Sequence, residues 1–118
     1  MIDVKPDMLA ALSHLPACTK LAYDREEVPL PVITVGDESS RVLSQADAKA
    51  YLEEYTAAVD IYAGERDEME ALFLQADAAL SALGLRRTYQ QDLYDEMACA
   101  FRKCLRYRGV LCGDMIYQ

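Results

Sequence analysis

The chain has 118 residues and a formal net charge of −8 at pH 7, and its residues are 53% hydrophobic and 27% charged. A length of this order makes one domain, and the balance of apolar and charged residues is that of a folded globular protein, which excludes a disordered chain. No apolar run approaches the roughly 18–20 residues that a membrane-spanning helix needs, and the N-terminal MIDVKPDML lacks the basic segment of a secretory signal.

The first predicted element is a short helix that begins near Pro6. Proline suits the first turn of a helix because its missing N–H costs no hydrogen bond there, and Asp7 favours the positive end of the helix dipole. Pro16 is expected to end this helix. His14 would then lie in its last turn, where we interpret it as a surface residue rather than a catalytic one. The apolar stripe is predicted to be Met8, Leu9, Leu12 and Leu15.

Two short strands are predicted next, at Thr19–Tyr23 and Leu30–Val35. The second strand is β-branched and is entered through two prolines, Pro29 and Pro31. Because proline cannot donate to a strand ladder, we expect this strand to start at a sheet edge or at a bulge. The composition of the following GDESS, residues 36–40, predicts a turn.

A longer strand is predicted at Leu52–Tyr62. Its surroundings, residues 46–63, are rich in alanine and glutamate, which favour a helix. From Glu54 onward, however, apolar and polar residues alternate, which is the pattern of a half-buried strand. The adjacent acids Glu53 and Glu54 are interpreted as solvated surface.

The clearest helix follows, from Glu65 to Leu83. Acidic residues crowd its first turn, where the dipole favours them, and Gly84 takes the position of a left-handed C-cap. One face of this helix is apolar at the 3–4 spacing that predicts burial against a sheet. Its members are Met69, Leu72, Phe73, Ala76, Leu80 and Leu83.

Two further strands, Leu85–Tyr94 and Ala98–Val110, are predicted to be joined by a tight turn at Asp95–Glu96. The terminal MIYQ is predicted to return as a last short strand after a Gly113–Asp114 turn. Alternation in the second strand places Phe101, Lys103, Leu105 and Tyr107 on one face and Arg102, Cys104, Arg106 and Arg108 on the other. In the first strand, alternation places Arg87, Tyr89 and Gln91 on one face and Arg86, Thr88 and Gln90 on the other. The elements together predict an α+β fold: one small domain with a mixed or antiparallel sheet packed against one long and one short helix.

The sequence shows no catalytic or metal-binding motif. There is no nucleophile elbow, phosphate-binding loop or HExxH segment. The four cysteines, Cys18, Cys99, Cys104 and Cys112, form no CxxC pair and are accompanied by one histidine, so we expect buried thiols of an intracellular protein rather than a zinc site. We therefore expect no enzyme activity, no metal and no cofactor.

Positive charge is concentrated near the C-terminus. Residues 1–84 carry a net charge of −10, and residues 85–118 carry +2. Contact with nucleic acid, a catalytic cluster and a charge-complementary contact between copies or with a partner would each explain this concentration. Because phosphate contacts drive sequence-independent binding and the rest of the chain is acidic, the complementary contact is favoured. Its candidate residues are Arg86, Arg87, Arg102, Arg106 and Arg108.

The order of these elements resembles the tail terminator, or tail completion, proteins of long-tailed bacteriophages and prophages. The matching segments are a strand ending in VDIYA, a helix ending in ALGLRRT, then LYDE, the strand FRKCLRYRGV and a terminal MIYQ. The matched positions are Asp60–Tyr62, Leu83–Arg87, Leu93–Tyr94, Arg102–Lys103 and Arg106–Gly109, and the resemblance covers residues 30–118. One departure is Leu85, where the family often has an aromatic residue.

The resemblance implies a single tail-terminator-like domain over residues 1–118 and a non-enzymatic role in the virion. Members of this family form a six-membered ring at the head-proximal end of the tail tube, where they stop tube growth and join the tail to the head connector. The implied partners are other copies of the chain, the tail tube protein and the connector or head completion protein, with DNA only in passage and no membrane. Another neck component, or an unrelated small nucleic-acid-binding or protein-interaction module, remains an alternative.

Overall fold

Eight elements follow one another in the computed structural model, which describes residues 4–21, 29–45, 51–112 and 115–117. They are α1 (Lys5–Leu12), β1 (Cys18–Lys20), β2 (Val32–Gln45), β3 (Tyr51–Ala63), α2 (Arg66–Ala82), β4 (Arg86–Asp95), β5 (Ala100–Cys112) and β6 (Met115–Tyr117).

The strands form one sheet in the order β1-β2-β3-β5-β4. β1 runs parallel to β2 and all other neighbours are antiparallel, so the sheet is mixed. β6 pairs with the last residues of β5, beyond the end of β4. The predicted fold class, a small α+β domain with one long and one short helix on a mixed sheet, is confirmed.

The strand β2 differs most from its prediction. It runs through residues 36–40 without a turn, because β3 provides a ladder partner along its whole length, and two register shifts absorb the extra residues. The expected edge position is also wrong. Both prolines precede the strand, but its first residue, Val32, already pairs with Cys18 on one side and Tyr62 on the other. β1 is shorter than predicted, and residues 22–28 lie outside the described part of the chain.

The helix α1 ends at Leu12, four residues before the proline that was expected to end it. The hydroxyl of Ser13 donates to the carbonyl of Ala10 at 2.7 Å, and the Ser13 N–H donates to the same oxygen at 3.3 Å, which closes the last turn. Leu15 is buried as predicted, although it lies outside the helix. His14 is likewise beyond the helix, and it is exposed.

The helix α2 lies on one face of the sheet, as its apolar spacing predicted. The buried residues are Met69, Leu72, Phe73, Ala76 and Leu80, and Leu83 at the C-cap packs against the same core while partly exposed. Gly84 follows with a φ of +101°, the left-handed conformation expected of a C-cap glycine. A Cβ at this position would lie 2.6 Å from the carbonyl oxygen of Ile116, so both backbone conformation and space require glycine.

The core lies between the two helices and this face of the sheet. Two tyrosines at its margin direct their hydroxyls to carboxylates. Tyr107 donates to Asp77 of α2 at 2.8 Å, and Tyr55 donates to Asp37, which also binds Lys5 of α1 at 2.9 Å. Burial opposes ionisation of Asp37, but the hydrogen bonds from Tyr55 and Lys5 outweigh it and the pKa of this carboxyl is lowered. These polar contacts hold β3 to β2, α1 to β2 and β5 to α2.

We call the opposite side of the sheet the distal face. Along β5, the residues that alternate with the core residues point to it: Arg102, Cys104, Arg106 and Arg108. A small apolar cluster of Val32, Tyr62, Ala98 and Ala100, with Leu30 beside it, occupies one end of this face. The rest of the distal face is mostly polar, and this is where most of the predicted interface arginines lie.

Candidate interaction surface

Arg102 binds two carboxylates of its own chain. Its Nε lies 3.3 Å from Asp60 Oδ1 on β3, and its Nη1 lies 3.1 Å from Asp95 Oδ2 on β4. The guanidinium also lies 5.2 Å from the centre of the Tyr62 ring. Partial burial lowers the pKa of Arg102, but the charge and hydrogen bond of Asp60 outweigh burial and raise it. Arg102 is therefore a fixed cation that joins three strands.

Arg106 and Arg108 also have acidic partners on the distal face. Arg106 Nε lies 2.6 Å from Glu38 Oε2 on β2, two strands away, and its guanidinium lies 6.0 Å from the ring centre of Tyr89. Arg108 Nη2 lies 3.0 Å from Glu54 Oε2, and this hydrogen bond raises the pKa of Arg108. The arginine row on β5 thus alternates with carboxylates from β2, β3 and β4.

The two arginines of β4 lie on different faces. Arg87 pairs in the ladder with Tyr107 on the helix side, where its Nη1 lies 3.2 Å from Asp77 Oδ1 and its guanidinium lies 4.8 Å from the ring centre of Phe73. Arg86 pairs in the ladder with Arg108, on the distal side, and is exposed. The five arginines therefore do not form one surface.

A register shift at Thr88 corrects the predicted faces of β4. Arg87 pairs with Tyr107, and Tyr89 pairs with Arg106, so Thr88 is an extra residue on this strand. The extra residue puts Arg87 and Tyr89 on opposite faces, whereas strict alternation placed them together. Tyr89 and Gln91 lie on the distal face, where the Tyr89 hydroxyl donates to Gln91 Oε1 at 2.5 Å.

A shallow depression of about 690 Å³ lies on the distal face around Arg106. Its lining residues come from four strands, β2, β3, β4 and β5: Glu38, Thr56, Thr88, Tyr89 and Arg106. The guanidinium in it is held by Glu38, so the depression presents a balanced pair of charges rather than a free cation.

Lys103 is a buried cation to which the sequence pattern assigned no role. Its side chain is 1% exposed, and its Nζ lies 2.8 Å from both Glu70 Oε1 on α2 and Asp92 Oδ1 on β4. The same Nζ lies 4.6 Å from the ring centre of Phe73. Burial lowers the pKa of Lys103, but the hydrogen bonds that its ammonium donates to Asp92 and Glu70 raise it above its usual value. The alternation of apolar and polar residues in β5 placed Lys103 on the apolar face. A lysine at such a position indicates a buried ammonium group that is paired with acidic side chains.

The acidic partners were not recognised from sequence. Glu54, interpreted as solvated surface, binds Arg108, and the neighbouring Glu53 is buried. Both interpretations are wrong because β3 is a central strand: Glu53 points to the same face as the buried Tyr55, and Glu54 points to the distal face, where Arg108 of β5 lies beside it. No signal in the sequence connects Glu54 with an arginine 54 residues away.

Among the described residues, no group of three or more His, Cys, Asp or Glu side chains is arranged to hold a metal ion. Cys99 is exposed in the turn before β5, and Cys104 is buried on the distal face, where burial and a hydrogen bond with Asp60 raise the pKa of its thiol. None of the helices in the described ranges is long and apolar enough to cross a membrane.

Comparison with known proteins gives a structural likeness and no sequence match. No protein-family model matches the chain, and no curated protein matches it. The fold of this protein is similar to that of one chain in a solved virion structure. That chain belongs to the structure described as the virion of a native gene transfer agent particle, and the two superimpose with a TM-score of 0.54 at 15% sequence identity. The likeness covers 86% of this chain and 81% of the other. At this level of identity, the comparison shows the fold alone.

Proposed function

We propose that this protein is a non-enzymatic structural component of a phage-like virion. In this role it would form a hexameric ring at the head-proximal end of the tail tube, end tube growth and join the tail to the head connector. The observation that carries the proposal is the fold shared with a chain of a gene transfer agent virion, over most of both chains. The sequence resemblance to tail terminator proteins supports the more specific role, and it implies assembly in the host cytoplasm and a final place in the neck of the virion.

Several positions that carry the sequence resemblance make contacts that hold the fold together. Asp60 of the VDIYA segment binds Arg102 of the FRK segment. Arg87 of the LRRT segment and Lys103 of the FRK segment both lie over the ring of Phe73. These positions hold the sheet and α2 together, so the resemblance rests on the framework of the fold, which is what a structural role requires.

The charges of the distal face suit a contact between subunits. The row on β5 presents guanidinium groups beside carboxylates, with about 30% of each arginine side chain exposed. A ring is built from heterologous contacts, in which one patch meets a different patch of the next copy. Residues 1–84 carry a net charge of −10 and residues 85–118 carry +2, so groups of opposite sign on neighbouring copies can attract one another. We therefore propose that Arg86, Arg102, Arg106 and Arg108 contribute to neighbour or next-ring contacts from the distal face, and that Arg87 contributes from the helix face of β4.

The same ion pairs disfavour nucleic-acid binding. A phosphate approaching Arg102, Arg106 or Arg108 would compete with a carboxylate at 2.6–3.3 Å and would meet its negative charge. Where DNA in passage meets this face, it would meet paired rather than free cations, which suits transit rather than retention.

The first experiment tests the role itself. The purified protein is mixed with polymerising tail tube protein and imaged by negative-stain electron microscopy, with and without the connector protein. We expect six-fold rings at one end of tubes that stop growing, and attachment of the capped ends to connectors. Tubes whose length and ends are unaffected by the protein would contradict the proposed function.

The second experiment tests the arginines. Charge reversal of Arg86 and Arg106 together is preferred to reversal of Arg102. Arg102 joins two carboxylates, Asp60 and Asp95, which its reversal would leave without a cation, whereas Arg106 binds one carboxylate, Glu38, and Arg86 is exposed. The double variant should retain its circular dichroism and lose capping, since like charges across each subunit contact cost several kcal/mol. The matched control is Arg86→Lys with Arg106→Lys, which keeps the charge. Normal capping by the reversed variant would exclude these arginines from the contact.

A further inference from the structure

The strand β4 forms an edge of the sheet that no strand in the described residues covers. It is ten residues long, Arg86–Asp95, and most of its side chains are exposed. Two of them are large and aromatic, Tyr89 at 46% exposure and Tyr94 at 52%. Long edges of this kind present unpaired backbone N–H and C=O groups, and they pair with a further strand unless they are blocked.

The charge pattern along β4 is complementary to itself. Its first two residues, Arg86 and Arg87, are basic, and the acidic residues Asp92 and Asp95 lie in its last four positions. Two copies side by side in parallel would bring like charges together. In an antiparallel pair, the basic end of each copy meets the acidic end of the other. The pattern therefore favours antiparallel pairing with a second copy of this chain.

The bulge at Thr88 selects one register for this pairing. Opposite residues must point to the same face, and Thr88 is an extra residue that breaks the alternation. When Gln91 lies opposite Gln91 of the second copy on a two-fold axis, the residues of each opposed pair point to the same face of the sheet. All ten residues of β4 then lie alongside the partner strand. The opposed pairs are then Gln91 with Gln91, Gln90 with Asp92, Tyr89 with Leu93, Arg87 with Tyr94 and Arg86 with Asp95.

Three of these pairs are favourable for cross-strand neighbours, and the Asp95 carboxylate in one of them also binds Arg102 of its own chain. Tyr89 and Leu93 make an aromatic–aliphatic contact on the distal face, Arg86 and Asp95 have opposite charges, and Arg87 meets the ring of Tyr94 on the helix face. The two neighbouring registers are worse. One of them puts Asp92 against the Asp92 of the second copy, and the other leaves Tyr94 and Asp95 beyond the end of the partner strand.

We infer that the free protein forms a two-fold symmetric dimer by antiparallel pairing of β4 with β4, centred on Gln91. The pairing continues the sheet across two copies and removes the exposed edge. It is an isologous contact, which closes after two copies, whereas a ring needs heterologous contacts. The inference is thus independent of the proposed virion role: the dimer is a state of the chain outside the virion, whatever the chain assembles into.

The position of Gln91 on the two-fold axis gives a sharp test, because a charge placed there meets itself. The wild-type chain should sediment at high micromolar concentration with twice the 13.2 kDa mass of one chain. At low salt, Gln91→Lys and Gln91→Glu should each weaken the dimer by up to about fivefold. Mixing the two variants should restore it, because Lys then faces Glu. The matched control is the same pair of changes at the exposed Gln75 of α2, which should leave the dimer unaltered.

Disulfide trapping reports the register directly. Cysteine is placed at position 91 in a Cys104→Ala background, because Cys104 lies opposite Gln91 on β5 and would compete for it. Oxidation should give a 91–91 disulfide between copies, identified by mass spectrometry of the linked peptide. Gln90→Cys should not link to itself, because the two copies of residue 90 lie diagonally, about 7–8 Å apart. The inference would be overturned if the wild-type chain is a monomer at high concentration, or if the Gln91 changes leave its oligomeric state unaltered. It would also be overturned if mixing the Lys and Glu variants does not restore the dimer, or if a 90–90 disulfide forms.

Discussion

Replacing Phe73 with alanine should lower the free energy of unfolding by about 3–5 kcal/mol. Phe73 lies on the buried face of α2, is 8% exposed and belongs to the main core cluster. Its removal leaves a cavity between α2 and the sheet, which the surrounding strands cannot fill without moving. Domains of this size are stable by about 5–15 kcal/mol in total, so the loss is a large fraction of the stability.

The ring of Phe73 contributes more than its volume. Arg87 lies 4.8 Å from its centre and Lys103 Nζ lies 4.6 Å from it. A cation over an aromatic ring stabilises by about 0.5–1 kcal/mol when exposed, as at Arg87, and by about 2 kcal/mol when desolvated, as at Lys103. Phe73→Leu keeps most of the apolar volume and removes the ring. Its expected cost is about 1–2 kcal/mol, less than the sum of the two contacts because they share one ring.

The assay is equilibrium unfolding in urea, with the dependence on denaturant concentration checked to be equal among variants. The control is Leu74→Ala, one residue further along the helix. Leu74 is 68% exposed, so its replacement should change the free energy of unfolding by no more than about 0.5 kcal/mol. Equal stability of Phe73→Ala and Leu74→Ala would refute the packing of this helix face. Equal stability of Phe73→Leu and wild type would refute the contribution of the two cations.

The remaining predictions concern one glycine and the buried lysine. Gly84→Ala should destabilise the fold by more than about 2 kcal/mol, because φ is positive and the new Cβ would strike a carbonyl oxygen. The control, Gly64→Ala, has open space around the new Cβ and should cost less than about 0.5 kcal/mol. Similar unfolding midpoints for the two variants would contradict the C-cap geometry. Lys103→Met should cost about 1–3 kcal/mol through loss of charge-assisted hydrogen bonds. The pKa of Lys103 is raised, so its contribution is complete below its unfolded value of about 10.4 and is lost as pH rises through the folded value. The difference in free energy of unfolding between wild type and Lys103→Met should therefore narrow only in strongly alkaline solution. The pKa of Tyr107 is also raised, but its titration is common to both proteins and cancels in the difference. A difference that stays the same in strongly alkaline solution would contradict the predicted role of the Lys103 charge.

Much of the fold could be predicted because it depends on short-range patterns. The 3–4 spacing from Met69 to Leu80 identifies the buried face of α2, and the alternation after Glu54 identifies β3 despite its helix-forming composition. Gly84 marks the end of α2, since a left-handed C-cap favours glycine. Alternation also placed Lys103 and the arginines of β5 on opposite faces. Each of these features involves residues within a few positions of one another.

Other features depend on what lies across the sheet. The composition of residues 36–40 favours a turn, but β3 runs alongside and the segment stays in the ladder. The extra residue at Thr88 is defined only by its pairing with β5, so no pattern within β4 reveals that Arg87 and Tyr89 face opposite ways. Local propensity is weak beside a ladder of backbone hydrogen bonds with a long partner strand.

The candidate site shows the same division. The sequence by itself determined that Arg102, Arg106 and Arg108 share a face, because side chains alternate along a strand. The tertiary structure alone decided that this face is neutralised. The carboxylates that bind Arg102 and Arg108 come from β3, 42 and 54 residues earlier in the chain, and β3 reaches them because α2 and a crossover place β5 between β3 and β4. Strand order is set by how the whole core packs, and a charge map read along the chain does not contain it.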